Sequence, residues 1–261
     1  MKNEREARPQ EVAVAGSPRT APFLRGDFEM QSTPKKDVLS GGAPKNVAII
    51  MDGNRRWARA RGLPDVAGHR AGAKTLEALL PALGRTGIQT LTLFGFSAAN
   101  WQRSQFEVER LLELVESNLQ RCMPSCIRER IAVEVIGHKD RLPDSLLRAI
   151  AQIERGTENG TRRLRIAFDY SSRDAISEAA RGLPNGAGTT TLGARLGGAS
   201  GVSDVDLLIR TGKEQRLSDF LLWECAFAEL YFPDLYWPEF DAVALNAALA
   251  WYGQRERRMG R

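Results

Sequence analysis

The feature that most constrains the fold is an apolar run that ends abruptly in polar residues. Residues 47–51, VAIIM, are followed by Asp52, Gly53, Asn54 and two arginines. A short apolar run closed by turn residues is typical of a strand buried on both faces of a parallel sheet. Ligands of open parallel sheets bind beyond the carboxyl ends of the strands. The sequence therefore predicts chemistry at Asp52 and the residues after it.

The rest of the chain alternates strand-like and helix-like segments. Further strands are predicted in IQTLTLFGFS, IAVEVIG, LRIAFDYSS and VDLLIRTG. Helical patterns separate them, over about 69–83, from about 105, over 144–154 and over 173–181. This pattern predicts one α/β domain with a largely parallel central sheet of about six strands flanked by helices.

Several local features are also predicted. Pro124 should kink or end the second helix, and the glycine-rich segment 186–201 should be a flexible surface loop. A helix is expected after VDLLIRTG, followed by a terminal helix over 241–258. Residues 1–43 mix charges with Pro, Gly and Ser and have no apolar period, which predicts a disordered basic N-terminal tail before a folded domain at 44–261.

Composition leaves the class of partner open. The formal net charge is +5, which favours a nucleic acid, a phosphorylated small molecule or an anionic membrane. Three cysteines are too few and too badly spaced for a disulfide framework or a zinc site, which favours a reducing compartment. The chain has no run of eighteen apolar residues and no apolar signal-peptide core, so a cytoplasmic location is expected.

Polar side chains gather after three of the predicted strands, and they narrow the choice of partner. The residues are Asp52–Arg56, then Ser97, Asn100, Trp101 and Arg103, then Arg210, Thr211, Arg216 and Ser218. Convergent arginines and hydroxyls can hold phosphate groups, and an acid among them can hold a divalent cation. A nucleic-acid groove would want a contiguous basic stripe with stacking aromatics, so a diphosphate ligand is predicted and no nucleic acid.

Four motifs give these residues a family resemblance. MDGNRRWA at 51–58, GHRAG at 68–72, FSAANWQR at 96–103 and IRTGKEQRLSDFLLWECAFAELYF at 209–232 resemble the cis-prenyltransferases. The resemblance extends from about Lys45 to the RERRMG near the C-terminus. It implies an enzyme that adds isopentenyl diphosphate to an allylic diphosphate, such as farnesyl or geranyl diphosphate, with each new double bond cis. An apolar tunnel between sheet and helices is also implied, with Gly95 facing it.

The resemblance also implies residue roles. Asp52 would be the Mg²⁺ ligand and catalytic acid residue, Glu229 a second metal contact that a dimer partner can supply, and Asn100 a catalytic residue near the proton-removal step. The implied substrate contacts are Gly53, Asn54, Arg55, Arg56, Trp57, His69, Ser97, Ala98, Ala99, Trp101, Arg103, Arg210, Arg216, Leu217 and Ser218. Removal of the proton by a diphosphate oxygen is the alternative, because a neutral amide is a poor base.

Simpler explanations exist for individual residues. An isolated Asp-Gly-Asn is a common turn, so Asp52 alone would also fit a helix cap. His69 could pack against its helix, and Trp57 and Trp101 could be core aromatics. The chain also departs from the usual family pattern at Asp65, Ala98, Ala99, Ser171, Ser172, Lys213 and Gln215. These departures spare Asp52, Asn100, Arg210, Arg216 and Glu229, so activity is expected, whereas the resemblance does not fix substrate preference or product length.

A homodimer is expected from the resemblance and from an aromatic cluster. The cluster comprises Phe227, Leu230, Tyr231, Phe232, Leu235, Tyr236 and Trp237. Peripheral contact with the inner face of the membrane, for product release, is a further expectation.

Three alternative functions are considered. One is a specialised short-chain or branching member of the same family, and another is a non-catalytic partner subunit of an active homologue. An aspartate-dependent phosphatase would want a second Asp two residues after Asp52, where Asn54 stands. A trans-prenyltransferase is excluded because the sequence has no DDxxD motif and no all-helical pattern.

Overall fold

The computed structural model describes residues 42–197 and 204–256. Six strands form one sheet: β1 (Asn46–Ile50), β2 (Thr90–Ser97), β3 (Ile131–Ile136), β4 (Arg162–Tyr170), β5 (Leu207–Arg210) and β6 (Glu229–Tyr231). The strand order is β3-β4-β2-β1-β5-β6, and every neighbouring pair is parallel. The predicted fold class is confirmed, and β6 is a strand that none of the five predicted segments covers.

Within the described ranges, seven α-helices connect and cover these strands. They are α1 (Asn54–Arg59), α2 (Asp65–Leu83), α3 (Gln105–Arg128), α4 (Asp144–Thr157), α5 (Ser172–Arg181), α6 (Thr189–Leu196) and α7 (Ala242–Gly253). None of the helices in the described ranges is both long and apolar enough to span a membrane.

Both faces of the sheet are buried. On one face, Ile49, Leu93 and Ile166 belong to a core shared with apolar residues of α2, α3, α4 and α7. On the other face, Ala48 and Leu208 pack with Phe220 and the turns around it. Two-sided burial explains why β1 and β5 are apolar runs and not alternating patterns, whereas β3 at the edge of the sheet alternates.

Several local predictions differ from the structure. α2 begins at Asp65, four residues before the predicted start, and α3 continues past Pro124 to Arg128. The predicted loop 186–201 contains α6, while 198–203 lie outside the described residues. α6 shows that a short helix can form in a glycine-rich segment that has no clear apolar period.

Two predictions near the C-terminus also need correction. In the described chain no helix lies between β5 and β6; residues 211–228 form turns that lead into β6. The terminal helix ends at Gly253, five residues before its predicted end. The turns around Ser218, Asp219 and Leu221 have positive φ angles, a conformation that an apolar pattern does not reveal. The predicted tail lies outside the described residues up to position 41.

Candidate active site

One large cavity occupies the region predicted to hold the ligand. Its volume is about 870 Å³, and its walls come from the carboxyl ends of β1, β2 and β5, from β4, and from α2 and α3. The polar lining residues include Asp52, Asn54, His69, Ser97, Asn100, Arg103, Arg173, Arg210 and Ser218. The apolar lining residues include Leu76, Leu93, Phe96, Leu111, Leu114, Val115, Leu119, Ile166 and Phe168. The cavity therefore suits a molecule with one charged and one apolar part.

Asp52 lies between two arginines at the polar end. Its Oδ1 accepts hydrogen bonds from Gly53 N at 2.6 Å and Arg56 Nη2 at 3.1 Å, and its Oδ2 accepts one from Arg210 Nη2 at 2.9 Å. The Arg210 side chain is only 5% exposed and also donates to Ser218 Oγ at 2.9 Å. Because Asp52 remains 29% exposed, a ligand in the cavity can reach its carboxylate.

Close backbone packing fixes the segment that carries Asp52. Gly53 has a φ of 100°, and a Cβ atom there would lie 2.6 Å from Tyr236 Cδ1. A Cβ at Gly68 would lie 2.0 Å from the backbone oxygen of Asn54, so α2 packs directly on α1. Gly68 is therefore required by the contact between the motifs 51–58 and 68–72, and Gly53 by the close approach of Tyr236.

Asn100 is held by a cap at the end of β2. Residues Ala98–Gln102 form a 3₁₀ turn, in which Ser97 Oγ accepts from Ala99 N at 3.2 Å. Asn100 Oδ1 accepts from Ser97 N at 3.0 Å. The amide oxygen of Asn100 is thus engaged, and its NH₂ group is the part that it can offer to a ligand. This geometry favours a donor role for Asn100 over a role as a base.

We expect Asn100→Asp to lower kcat/KM for the condensation that the family resemblance implies about 100-fold. The variant keeps an acceptor for Ser97 N, but it lacks the NH₂ donor, and its carboxylate repels an anionic ligand. Steady-state kinetics of the purified variant would measure this change. Asn100→Ala is the control, since it removes the donor without adding charge. If Asn100→Asp matched the wild type, the donor role would be wrong.

His69 is neutral in the folded protein. Burial is the main cause that lowers its pKa to about 4, and the nearby Arg103 acts in the same direction. Its buried Nε2 atom has no hydrogen-bond partner within the described part of the chain. A neutral imidazole at the cavity wall can accept or donate a hydrogen bond without contributing charge.

This pKa predicts a pH-dependent stability. Between pH 6.5 and about 4 the unfolded chain binds a proton at His69 that the folded chain does not, so acidification lowers the free energy of unfolding. The shift corresponds to at most about 3 kcal/mol. Urea unfolding of His69→Gln should show a shallower loss over this range. Equal curves for His69→Gln and the wild type would contradict the assignment.

Other predicted residues lie beside the cavity and not in its wall. Arg56 and Arg216 both bind Glu214, at 2.9 and 2.6 Å. Arg55 lies 3.5 Å from Glu107 Oε1, which also accepts from Arg103 at 2.8 Å. Arg55, Arg56 and Arg216 are therefore held by acids near the polar end.

The remaining predicted contacts have apolar or stacking neighbours. The guanidinium of Arg61 lies over the Trp57 ring, 4.4 Å from its centroid. Leu217 packs against the core on the second sheet face. Ala98 and Ala99 line the cavity, and Gly95 lies in its wall at an irregularity between β2 and β4.

Glu229 lies away from Asp52 within one chain. Glu229 is in β6 and pairs with Leu207, the first residue of β5. Asp52 follows the end of β1, where Ile50 pairs with Arg210, the last residue of β5. Leu207 and Arg210 are three steps apart along β5, which corresponds to about 10 Å. Glu229 Oε2 accepts from Arg255 Nε at 3.0 Å. Glu229 therefore does not reach the Asp52 carboxylate within one chain.

The predicted aromatic cluster is divided by the structure. Phe227 and Leu230 are exposed, and Tyr231 packs on Trp251 with ring centroids 5.0 Å apart. Trp237 is buried, lines the cavity and donates from Nε1 to Gly72 O at 2.9 Å. Its place in the cluster expected at a dimer interface is wrong, because the indole is buried against the glycine at position 72.

Two acids take positions that the sequence did not reveal. Glu214 accepts hydrogen bonds from Arg56 and from Arg216 and so links them. The motif analysis named the residues on either side of Glu214 but gave Glu214 itself no role. Asp65, where the family usually has an arginine, accepts two hydrogen bonds from Arg59 at 2.8 and 2.7 Å. Asp65 therefore neutralises an arginine on α1 outside the cavity wall.

The fold and the cavity define an α/β protein with a site for an amphipathic anion. The family described as "Putative undecaprenyl diphosphate synthase" matches residues 50–260. Isoprenyl transferase 1 of Bradyrhizobium diazoefficiens is 47% identical over 232 residues, covering 87% of this chain and 93% of that protein. Ditrans,polycis-undecaprenyl-diphosphate synthase ((2E,6E)-farnesyl-diphosphate specific) of Pseudomonas aeruginosa is 41% identical, covering 87% of this chain and 93% of its own length.

A solved structure is also similar. Lavandulyl diphosphate synthase from Lavandula x intermedia, in complex with dimethylallyl diphosphate, has a TM-score of 0.80 and 33% sequence identity, covering 84% of this chain and 99% of that chain. The chain therefore belongs to the cis-prenyltransferase family, and the resemblance carried by its four motifs is confirmed. By class it is a prenyltransferase.

Proposed function

We propose that this chain condenses isopentenyl diphosphate with an allylic diphosphate, such as farnesyl or geranyl diphosphate, to make a cis-polyprenyl diphosphate. The observation that carries the proposal is the cavity of about 870 Å³, which joins Asp52 and Arg210 at one end to Leu111 and Leu119 at the other. A prenyl diphosphate has the same division into a charged head and an apolar tail.

The arginines suit the first chemical step. Cleavage of the allylic C–O bond leaves negative charge on diphosphate, so guanidinium groups that are already in place lower the barrier. Arg56 and Arg210 form ion pairs with Asp52. An incoming diphosphate can take over these donors, which would free the carboxylate of Asp52.

Magnesium is proposed as the cofactor on the chemistry of this carboxylate. Mg²⁺ commonly binds one or two carboxylates together with substrate phosphates and water. In residues 42–197 and 204–256 no group of three His, Cys, Asp or Glu could hold a metal alone. Asp52 fits this shared mode, with Glu229 of a second copy as a further candidate ligand. Bound Mg²⁺ would neutralise the charge that develops on the leaving diphosphate.

The second substrate and the proton complete the proposal. Arg210, Arg216 and Ser218 would bind isopentenyl diphosphate. They lie together because the Arg210 guanidinium donates to the backbone oxygen of Arg216 and to Ser218 Oγ. Asn100 would donate to a diphosphate through its NH₂ group, because its oxygen already accepts from Ser97 N. A diphosphate oxygen is then the better acceptor for the proton that leaves isopentenyl diphosphate.

The test is product analysis with purified protein. The protein is incubated with Mg²⁺, labelled isopentenyl diphosphate and either farnesyl or geranyl diphosphate, and the dephosphorylated products are resolved by chain length. A ladder of successive five-carbon additions supports the proposal. No condensation with any allylic primer would contradict it and would favour a non-catalytic partner subunit.

A specialised short-chain or branching synthase is the second candidate. The structural similarity to lavandulyl diphosphate synthase, with a TM-score of 0.80, supports this candidate. The many apolar residues that line the cavity, among them Leu76 on α2 and Leu119 on α3, favour chain elongation instead, because a short product needs less apolar lining. Products limited to one or two additions in the same assay would support the second candidate.

Assembly and location belong to the same proposal. A homodimer would allow Glu229 of one copy to approach the cavity of the other, and the exposed Phe227 and Leu230 suit an interface. We also propose a cytoplasmic enzyme that touches the inner face of the membrane when its apolar product leaves. Size-exclusion chromatography with light scattering, and flotation with anionic vesicles, would test these two points.

A further inference from the structure

Asp169, near the end of β4, is a buried acid of the described chain that lies outside the proposed catalytic groups. Its side chain is fully buried, at 0% exposure. An ionised carboxylate in such a place is costly unless donors surround it. The motif analysis did not single out this residue, and the proposed mechanism does not use it.

Asp169 binds Trp101 and Arg141 together. Its Oδ1 accepts from Trp101 Nε1 at 2.9 Å and from Arg141 Nη2 at 2.5 Å, while its Oδ2 accepts from Arg141 Nε at 2.9 Å. The Arg141 guanidinium also lies over the Trp101 ring, 5.1 Å from its centroid. The indole is therefore fixed both at its N–H and on one face.

The backbone around Asp169 is fixed as well. Asp169 has a φ of 48°, which Asp tolerates better than most residues. Its carbonyl oxygen accepts from His138 N at 3.1 Å. A Cβ at Gly137 would lie 2.1 Å from Phe168 O, so the loop after β3 packs directly on this part of β4. Asp169 thus has little freedom to move.

Trp101 connects this rigid acid to the cavity wall. It belongs to the 3₁₀ turn Ala98–Gln102, which contains Asn100 and is followed by Arg103. Asn100 and Arg103 line the cavity, whereas Trp101 is not among the lining residues. Trp101 packs edge-on against Phe96, with ring centroids 5.4 Å apart. The turn is therefore held at its start by the Ser97 cap and near its end by the indole.

We propose that Asp169 is a positioning residue: through the Trp101 indole it holds Asn100 and Arg103 in the geometry required for condensation. This inference rests on the proposed function. It assigns Trp101 to anchoring the turn and not to contacting the substrate. The part of Asp169 that matters is an acceptor oxygen at the indole, so asparagine should replace it and leucine should not.

The test compares Asp169→Asn, Asp169→Leu, Trp101→Phe and the Leu/Phe double variant with wild type. We expect Asp169→Asn to keep kcat/KM within about threefold, and each of the other single variants to lose about tenfold. The double variant should lose no more than the worse single variant, because both remove one contact. Asp140→Asn, at an exposed neighbour of Arg141, is the matched control and should match wild type.

Amide hydrogen exchange of residues 98–103, followed by mass spectrometry, gives a readout that needs no substrate. Exchange should become about tenfold faster in Asp169→Leu and Trp101→Phe and stay unchanged in Asp169→Asn. Unchanged exchange in folded Trp101→Phe, or losses that multiply in the double variant, would overturn the inference. If Asp169→Leu does not fold, Trp101→Phe alone decides. Wild-type protein without transferase activity would contradict the proposed function, while the exchange data would still test this inference.

Discussion

Replacing Asp52 by alanine is expected to lower turnover about 1,000-fold or more. The change removes the carboxylate that is proposed to hold Mg²⁺ and that orients Arg56 and Arg210. The fold should persist, because the Arg210 guanidinium keeps its hydrogen bonds to Ser218 Oγ and to the backbone oxygen of residue 216. Steady-state kinetics and circular dichroism on the same preparation would measure both effects.

Two further variants separate charge from shape at this position. Asp52→Asn keeps an oxygen for the Arg210 guanidinium but removes the charge, so we expect it to be nearly as inactive as the alanine variant. Asp65→Ala removes another arginine-paired acid, outside the cavity wall, and should change turnover less than about threefold. Full activity in Asp52→Ala, with its fold intact, would overturn the proposed mechanism.

Replacing Gly95 by leucine is expected to shorten the product ladder by several five-carbon units. Gly95 lies in the cavity wall, and the irregular pairing of β2 with β4 begins there. A Cβ at this position would lie 3.2 Å from Ile166 Cγ2 and 3.6 Å from Phe168 Cδ2, both in residues that line the cavity. A leucine side chain would therefore fill space that the growing chain is proposed to occupy.

Gly95→Ala is the matched control for this experiment. Its single methyl group requires only a shift of a few tenths of an ångström at Ile166, so the product distribution should stay near that of wild type. Product lengths would be compared by chromatography after dephosphorylation. An unchanged ladder in a folded and active Gly95→Leu protein would contradict the assignment of this wall to the product chain.

The sheet could be predicted because burial on both faces leaves a clear pattern. VAIIM and the later apolar runs are the strands, and the stripes of α2 and α3 follow from their period. β6 and the turns at 211–228 could not be predicted, since positive φ angles at Ser218 and Asp219 depend on tertiary contacts. α6 was missed because glycines around a short helix hide its pattern.

The site was predictable where one motif follows one strand. Asp52, Asn100 and Arg210 lie at the carboxyl ends of adjacent strands β1, β2 and β5, so sequence order and topology bring them together. Asp169 was missed because its role depends on Trp101, 68 residues away, and on Arg141 in the loop after β3. Such bonds between distant elements leave no local pattern in the sequence.

The geometry of the new double bonds tests the central claim most directly. Products made from ¹³C-labelled isopentenyl diphosphate and farnesyl diphosphate by the wild-type chain, with Mg²⁺, would be dephosphorylated and examined by ¹³C NMR. The methyl carbons on each added unit report cis or trans geometry by their chemical shifts. The account predicts that every added unit is cis. Added units that are trans, or the absence of any added unit, would contradict it.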